Sequence, residues 1–201
     1  MKKGSLNKII LTLLIFVFLV ILSLVLFLEV NFIDEKFYSF FGNFINEKNT
    51  EIFKVFTFFG STLTIIILSL LSIVFVRKYA LYICLNPLIA VTISQTLKYT
   101  VGRTRPNGIN LIEEDGFSFP SGHSLVSMAF YGFLIYLVYK SNLKNTTKNI
   151  IIAAISLLIL LIGLSRIYLG VHYTTDVIAG FIVGIVHLYL YINLIFEKKK
   201  K

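Results

Sequence analysis

Six apolar runs, each close to membrane-crossing length, alternate with shorter polar connections along this chain. The first, Ile9 to Leu28, is almost unbroken. Its twenty residues, at a rise of ~1.5 Å each, cover ~30 Å, the thickness of a bilayer's hydrocarbon core. A secretory signal would have a shorter apolar core and a small-residue cleavage site, so this run is expected to be a retained helix. Further helices are predicted at Phe53 to Val76, Ala80 to Val101, Ser121 to Tyr139, Ile150 to Tyr168 and Val171 to Phe196. The expected fold class is therefore all-α, a bundle of six transmembrane helices forming a single domain over residues 1–201.

Two stretches break the pattern. Glu29 to Glu51 mixes Phe32, Ile33, Phe37, Tyr38, Phe40, Phe41, Phe44 and Ile45 with Asp34, Glu35, Lys36, Glu47 and Lys48. Such a mixture suits a helix lying in the membrane interface, or a partly ordered loop, and makes the segment a candidate wall for a lipid's path. Gly102 to Pro120 carries glycine, proline and the acids Glu113, Glu114 and Asp115, and reads as a loop placed over something. Just before it, Thr92, Ser94, Gln95, Thr96 and Lys98 make the outer half of the third helix too polar for lipid. They are predicted to line a cavity. No internal repeat, heptad or small-xxx-small seam stands out.

Composition agrees with the pattern: 57% of residues are hydrophobic and 14% charged, with a mean hydropathy of +0.85. One soluble core of this length could not hide so much apolar surface. The lone Cys84 lies inside an apolar run and is expected to be a packed, inert side chain. A net charge of +9 does not point to nucleic acid, because the basic residues flank the spans instead of forming a soluble basic face. Twelve of the nineteen Lys and Arg residues fall on the side of the N-terminus: Lys2, Lys3, Lys8, Arg77, Lys78, Lys140, Lys144, Lys148 and Lys198 to Lys201. Excess positive charge marks the cytoplasm. Both termini are thus expected inside, in a multi-pass protein of the plasma membrane, and the outer ends of helices three to six on the extracytoplasmic face.

Those outer ends collect the chain's unusual chemistry. His172 and Asp176, four apart at the predicted start of a helix, would share one face, so the carboxylate could fix the imidazole's tautomer and leave its other nitrogen free to attack. Alone, such a pair is more often a histidine and an aspartate satisfying each other. Pro120-Ser121-Gly122-His123 would present backbone amides at a helix N-terminus, where the dipole favours an anion. Gly122 would admit a phosphate oxygen closely, Ser121 could cap the helix, donate to the oxygen, or both, and His123 could pass a proton to a leaving group. Ser-Gly at a helix start is also ordinary capping. Lys98, Arg105 and Arg166 supply positive charge suited to phosphate, though each singly could snorkel to headgroups. Arg103 has no role that spacing assigns and is expected to face headgroups. His187, fifteen residues past His172, would lie ~22 Å deeper along the same helix.

Taken together, Lys98-x6-Arg105-Pro106, Pro120-Ser121-Gly122-His123 and Ser165-Arg166-x5-His172-x3-Asp176 resemble the three-part signature of the type 2 phosphatidic acid phosphatase family, which shares its site with vanadium haloperoxidases. Every signature position is present at the family's spacing. The resemblance implies a lipid phosphate phosphatase, as in small bacterial members of the family. His172 would form a phosphohistidine, Asp176 would orient it, and His123 would protonate the leaving oxygen and then activate water. Lys98, Arg105, Ser121, Gly122 and Arg166 would hold the phosphate. It implies no cofactor or metal, and a membrane lipid phosphate as the partner, with no nucleic acid and no obligatory protein. Phosphatidylglycerol phosphate, phosphatidic acid and undecaprenyl diphosphate are the plausible substrates. A transporter would place ionisable groups mid-span, whereas these cluster at helix ends. Haloperoxidases of the superfamily are soluble and larger. A silent lipid-binding protein would not need intact His123, His172 and Asp176.

Overall fold

The computed structural model describes residues 3–28, 32–108 and 110–197. Lys2, Glu29 and Lys198 to Lys201 lie outside the described residues. All the regular structure of the described residues is helical: α1 (Lys3–Phe27), α2 (Phe32–Gly42), α3 (Glu47–Gly60), α4 (Thr62–Phe75), a 3₁₀ turn (Arg77–Tyr79), α5 (Ala80–Val101), α6 (Gly122–Lys140), α7 (Asn145–Tyr168), α8 (Thr174–Tyr191) and a π turn (Ile192–Phe196). Among the described residues five spans are long and apolar enough to cross a membrane, and α3 with α4 makes a sixth when that bent pair counts as one. The protein is an integral membrane protein, and its apolar outer surface follows from that. Leu13, Phe16, Leu63, Leu70 and Val74 are exposed because lipid, not water, is their solvent.

The second predicted helix is not straight. It begins at Glu47, where Asn46 accepts the Asn49 N–H at 2.9 Å, and breaks at Ser61, whose Oγ accepts the Thr64 N–H. The two halves meet at 49°. Gly60 is needed at the break, since a Cβ there would lie 2.4 Å from Ile162 Cγ2 and 3.2 Å from the His123 ring. Two other boundaries shift from their predicted places, one outward and one inward. α7 starts at Asn145, its first turn being polar, and α8 starts at Thr174, three residues later than predicted.

α6 is the hub, with Leu125, Ala129, Phe130 and Phe133 almost fully buried between α5, α7 and α8. Its tightest seam is with α8. A Cβ on Gly180 would lie 2.6 Å from Ser121 O, and one on Gly184 2.7 Å from Met128 Cβ. Gly180-x3-Gly184 is therefore a small-xxx-small seam after all, used within the chain to bring two backbones together. α1 packs peripherally, through Ile21 and Val25 against Phe119, Ala179 and Ile182. Cys84 is half-buried, and its thiol donates to Ser69 O at 3.3 Å.

The segment before α3 is helical, with α2 docked on α7 and α8. Tyr168 is the anchor. Its ring stacks on Phe53 with centroids 4.1 Å apart and meets Phe41 edge-on, while its hydroxyl lies 3.2 Å from Thr50 Oγ1. Phe32, Phe37 and Phe40 stay exposed on the other side, as expected of a helix at the membrane boundary.

Candidate functional site

Three chain reversals bring the site together. α5 ends at Gly102, whose φ of 66° is left-handed and whose N–H bonds Lys98 O at 2.9 Å. This glycine cap turns the chain so that Lys98, Arg103 and Arg105 converge on one end of the bundle. The connection from residue 102 to 121 runs back to α6, with Ser121 N donating to Asp176 O at 3.0 Å. After α7, Gly170 (φ 75°) turns the chain into α8.

Between these ends lies a cavity of ≈ 210 Å³. Lys98, Arg105, Gly122, His123 and His172 all contribute to its wall, with Glu114 from the connection. Of the polar outer half of α5, Ser94, Gln95 and Lys98 line it. Thr92 and Thr96 do not: they turn outward, and their hydroxyls donate back to Leu88 O and Thr92 O, which satisfies them without a cavity. Ser121, Arg166 and Asp176 are wholly buried behind the wall. Ser121 takes the capping option, its Oγ accepting from Ser124 N and Ser124 Oγ.

His172 occupies the centre. It lies in the turn before α8 and not on the helix, so the predicted helical i,i+4 pairing with Asp176 is replaced by a tighter arrangement. Asp176 is the third residue of α8 and accepts the Tyr173 N–H at 2.9 Å. It thereby caps the helix and places its carboxylate under the imidazole, with His172 Nδ1 3.4 Å from Asp176 Oδ2. The other nitrogen, Nε2, is 3.3 Å from Arg105 Nη1. A guanidinium can only donate, so Nε2 carries the lone pair and Nδ1 the proton. Burial, then Arg166, Lys98 and Arg105, hold His172 well below its usual histidine range. At neutral pH it is an uncharged imidazole whose free nitrogen faces a cationic cavity.

Sequence reasoning missed three residues around this core. Ser118 Oγ donates to Asp176 Oδ2 and lies 3.3 Å from His172 Nδ1, so it accepts from the imidazole while bracing the carboxylate. Arg103 does not face headgroups: its side chain is 3% exposed and pairs with both Asp176 (2.6 Å) and Asp34 (2.9 Å). Two buried carboxylates demand a buried cation, and Arg103 is within reach. Glu114 reaches into the site and bridges Arg105, at 3.6 Å, and Arg166. Its neighbours Glu113 and Asp115 are exposed. Only adjacency to the signature residues could have flagged these three. His187 lies on α8 away from the cavity, packed beside Tyr191.

Lys98 donates to Phe117 O, and Arg105 to Gly116 O, Asp115 O and Val171 O. The cations are thus held in place by loop carbonyls. Buried Ser94 Oγ and Arg166 Nε have no hydrogen-bond partner among the described residues. An anion with several acceptor oxygens suits such a wall. Among the described residues no group of three or more His, Cys, Asp or Glu converges as metal ligands would.

A family model described as the PAP2 superfamily matches residues 75–200, which takes in every signature position. The chain belongs to that superfamily. Phosphatidylglycerophosphatase B of Bacillus subtilis is 35% identical over 99 residues, 49% of each chain. The undecaprenyl-diphosphatase of Sulfolobus acidocaldarius is 32% identical over 114 residues, 54% of this chain and 51% of that one. The chain therefore matches about half the length of these relatives. The crystal structure of a transmembrane PAP2-type phosphatidylglycerolphosphate phosphatase from B. subtilis aligns with a TM-score of 0.82 at 27% identity, covering 95% of this chain and 97% of that one. LpxE of Aquifex aeolicus has the same fold, with a TM-score of 0.65 at 23% identity over 82% of this chain and 98% of that one.

Proposed function

We infer that the protein is a metal-independent phosphatase that removes a terminal phosphate from a membrane lipid phosphate or diphosphate. The observation that carries this is His172: an imidazole with its lone pair toward a cavity walled by Lys98 and Arg105, and its N–H backed by Ser118 and Asp176. His172 Nε2 attacks phosphorus, the bond to the leaving oxygen breaks, and His123 gives that oxygen its proton. The products are a phosphohistidine and a lipid alcohol, or a lipid monophosphate from a diphosphate. His123 then takes a proton from water, whose oxygen attacks the phosphorus. The P–N bond breaks, and inorganic phosphate leaves. Lys98, Arg105, the Gly122 amide and the N-terminus of α6 bear the charge that spreads over the phosphoryl oxygens. Arg166 joins them once Glu114 yields, and Ser121 contributes by setting the helix start.

The names of the relatives support phosphatidylglycerol phosphate and undecaprenyl diphosphate as substrates; phosphatidic acid, the third, rests on the family resemblance alone. The asymmetry of Lys and Arg supports cytoplasmic termini and a site opening on the extracytoplasmic leaflet. The deciding experiment gives purified protein in detergent a panel of these lipids, with and without a chelator, and measures released phosphate. Turnover that survives the chelator and vanishes in His172→Ala is expected. Loss on chelation, or a fully active His172→Ala, overturns the mechanism. A cysteine placed in the Glu113 to Asp115 loop, at the exposed Glu113, should be labelled from outside intact cells; protection there would reverse the topology.

A further inference from the structure

Behind the cavity a buried charge cluster ties Asp176 to two residues that the mechanism above does not use, Arg103 and Asp34. Arg103 Nη1 donates to Asp176 Oδ1 at 2.6 Å and to Thr175 Oγ1 at 2.8 Å, and Nη2 donates to Asp34 Oδ2 at 2.9 Å. Asp34 comes from α2, 69 residues before Arg103 and 141 before Thr175 in sequence, and its Oδ1 accepts from Thr175 N at 2.9 Å. The guanidinium plane lies over the Tyr173 ring, 3.9 Å from its centroid. Thr175 and Asp176 belong to the first turn of α8, so both carboxylates sit where a helix dipole favours negative charge.

We propose that Asp34 and Arg103 are positioning residues for the phosphatase site, Arg103 locking Asp176 under His172 and Asp34 drawing off part of the guanidinium's charge. The inference rests on the phosphohistidine reading. Its logic is electrostatic. If Arg103 paired with Asp176 alone, the carboxylate would be neutralised and could do little for positive charge developing on the imidazole. With Asp34 added, two carboxylates share one cation, and the cluster carries a net negative charge toward His172. The expense of burying a second carboxylate is offset by Arg103, the two Thr175 donors and the α8 terminus. Docking of α2 therefore completes the site, and a residue far from the signature, Asp34, helps set the basicity of its histidine.

His172 is faced by Lys98 of α5, Arg105 and Glu114 of the connection, His123 of α6, Arg166 of α7 and Asp176 of α8. All of these stay unchanged in Asp34→Asn, so a shift in the pH profile reports Asp34 itself. Less negative charge makes His172 harder to protonate, and the acidic limb of kcat/KM moves to lower pH. The expected result for folded Asp34→Asn is a kcat lower by about ten- to a hundred-fold, KM within about two-fold, and that shift of the limb. Asp34→Glu should restore the limb, and Glu35→Gln, exposed on the same helix, should match wild type. Arg103→Lys, whose single ammonium lacks the fork that reaches Asp176 and Asp34 from separate nitrogens, is expected to lose kcat similarly and serves should Asp34→Asn not fold. Wild-type kcat in the folded variant, or a loss that leaves the limb in place, overturns the proposal. His172→Ala is measured in parallel. If it is dead while Asp34→Asn behaves as wild type, only this proposal fails; if it turns over, the phosphohistidine reading itself fails.

Discussion

Removing one hydroxyl, in Ser118→Ala, separates orientation from phosphate binding. Ser118 is fully buried and is absent from the cavity wall. Its Oγ nevertheless joins His172 Nδ1 (3.3 Å) to Asp176 Oδ2. Without it, Asp176 keeps Arg103 at 2.6 Å and the Tyr173 amide at 2.9 Å, so the carboxylate stays in place. The imidazole N–H is left with a single acceptor 3.4 Å away. A hydrogen bond to a charged group contributes roughly 1.5–3 kcal/mol. If that is felt mainly as charge develops on His172, kcat falls by about ten- to a hundred-fold while KM changes by less than about two-fold. The assay is phosphate release over a range of substrate concentrations, with thermal unfolding in the same detergent to establish the fold. A folded variant with wild-type kcat, or one whose loss appears in KM, would refute the role given to Ser118.

Other consequences follow from the same geometry. Glu114→Gln removes the carboxylate between Arg105 and Arg166, so inorganic phosphate should inhibit about five-fold more tightly, the equivalent of about 1 kcal/mol; an unchanged or weaker inhibition constant would show that Glu114 does not compete for the anion site. Gly180→Val drives a Cβ toward Ser121 O and should destabilise the protein by about 1–3 kcal/mol in thermal unfolding; an unshifted transition would show that the α6–α8 seam can relax. Because His172 is held below its usual range, the unfolded chain binds a proton there that the folded chain refuses. The stability linked to this group is therefore present above about pH 6.5 and lost on acidification, at up to about 1.4 kcal/mol per pH unit. His172→Asn should flatten that decline, and identical slopes in the two proteins would assign it elsewhere.

The spans and the signature residues were legible because they depend on local signals. A run of apolar residues has one economical solution in a membrane, and a glycine after Val101 or a serine before Gly122 announces a helix boundary by its own backbone chemistry. What escaped depended on tertiary geometry. The break at Ser61 was hidden because serine and threonine are tolerated in spans, and only the bulk of Ile162 and His123 shows why Gly60 and the bend are needed. Arg103 looked like one more interfacial arginine because neither Asp34 nor Asp176 reveals in sequence that it will be buried beside it. The pairing of His172 with Asp176 was anticipated, but on a helix face; the structure achieves it with a pre-helical turn, an N-terminal cap and Ser118. Gly180-x3-Gly184 was passed over because a glycine pair gains meaning only from the backbone it approaches.

The claim on which all of this rests is covalent: His172 carries the phosphoryl group between substrate and water. Rapid quenching of the protein with lipid substrate labelled in its terminal phosphate tests it most directly. The account requires acid-labile, base-stable label on the peptide containing His172, rising and decaying at rates that support turnover and absent from His172→Ala. Turnover with no labelled protein at any quench time, or label on another residue, would contradict it.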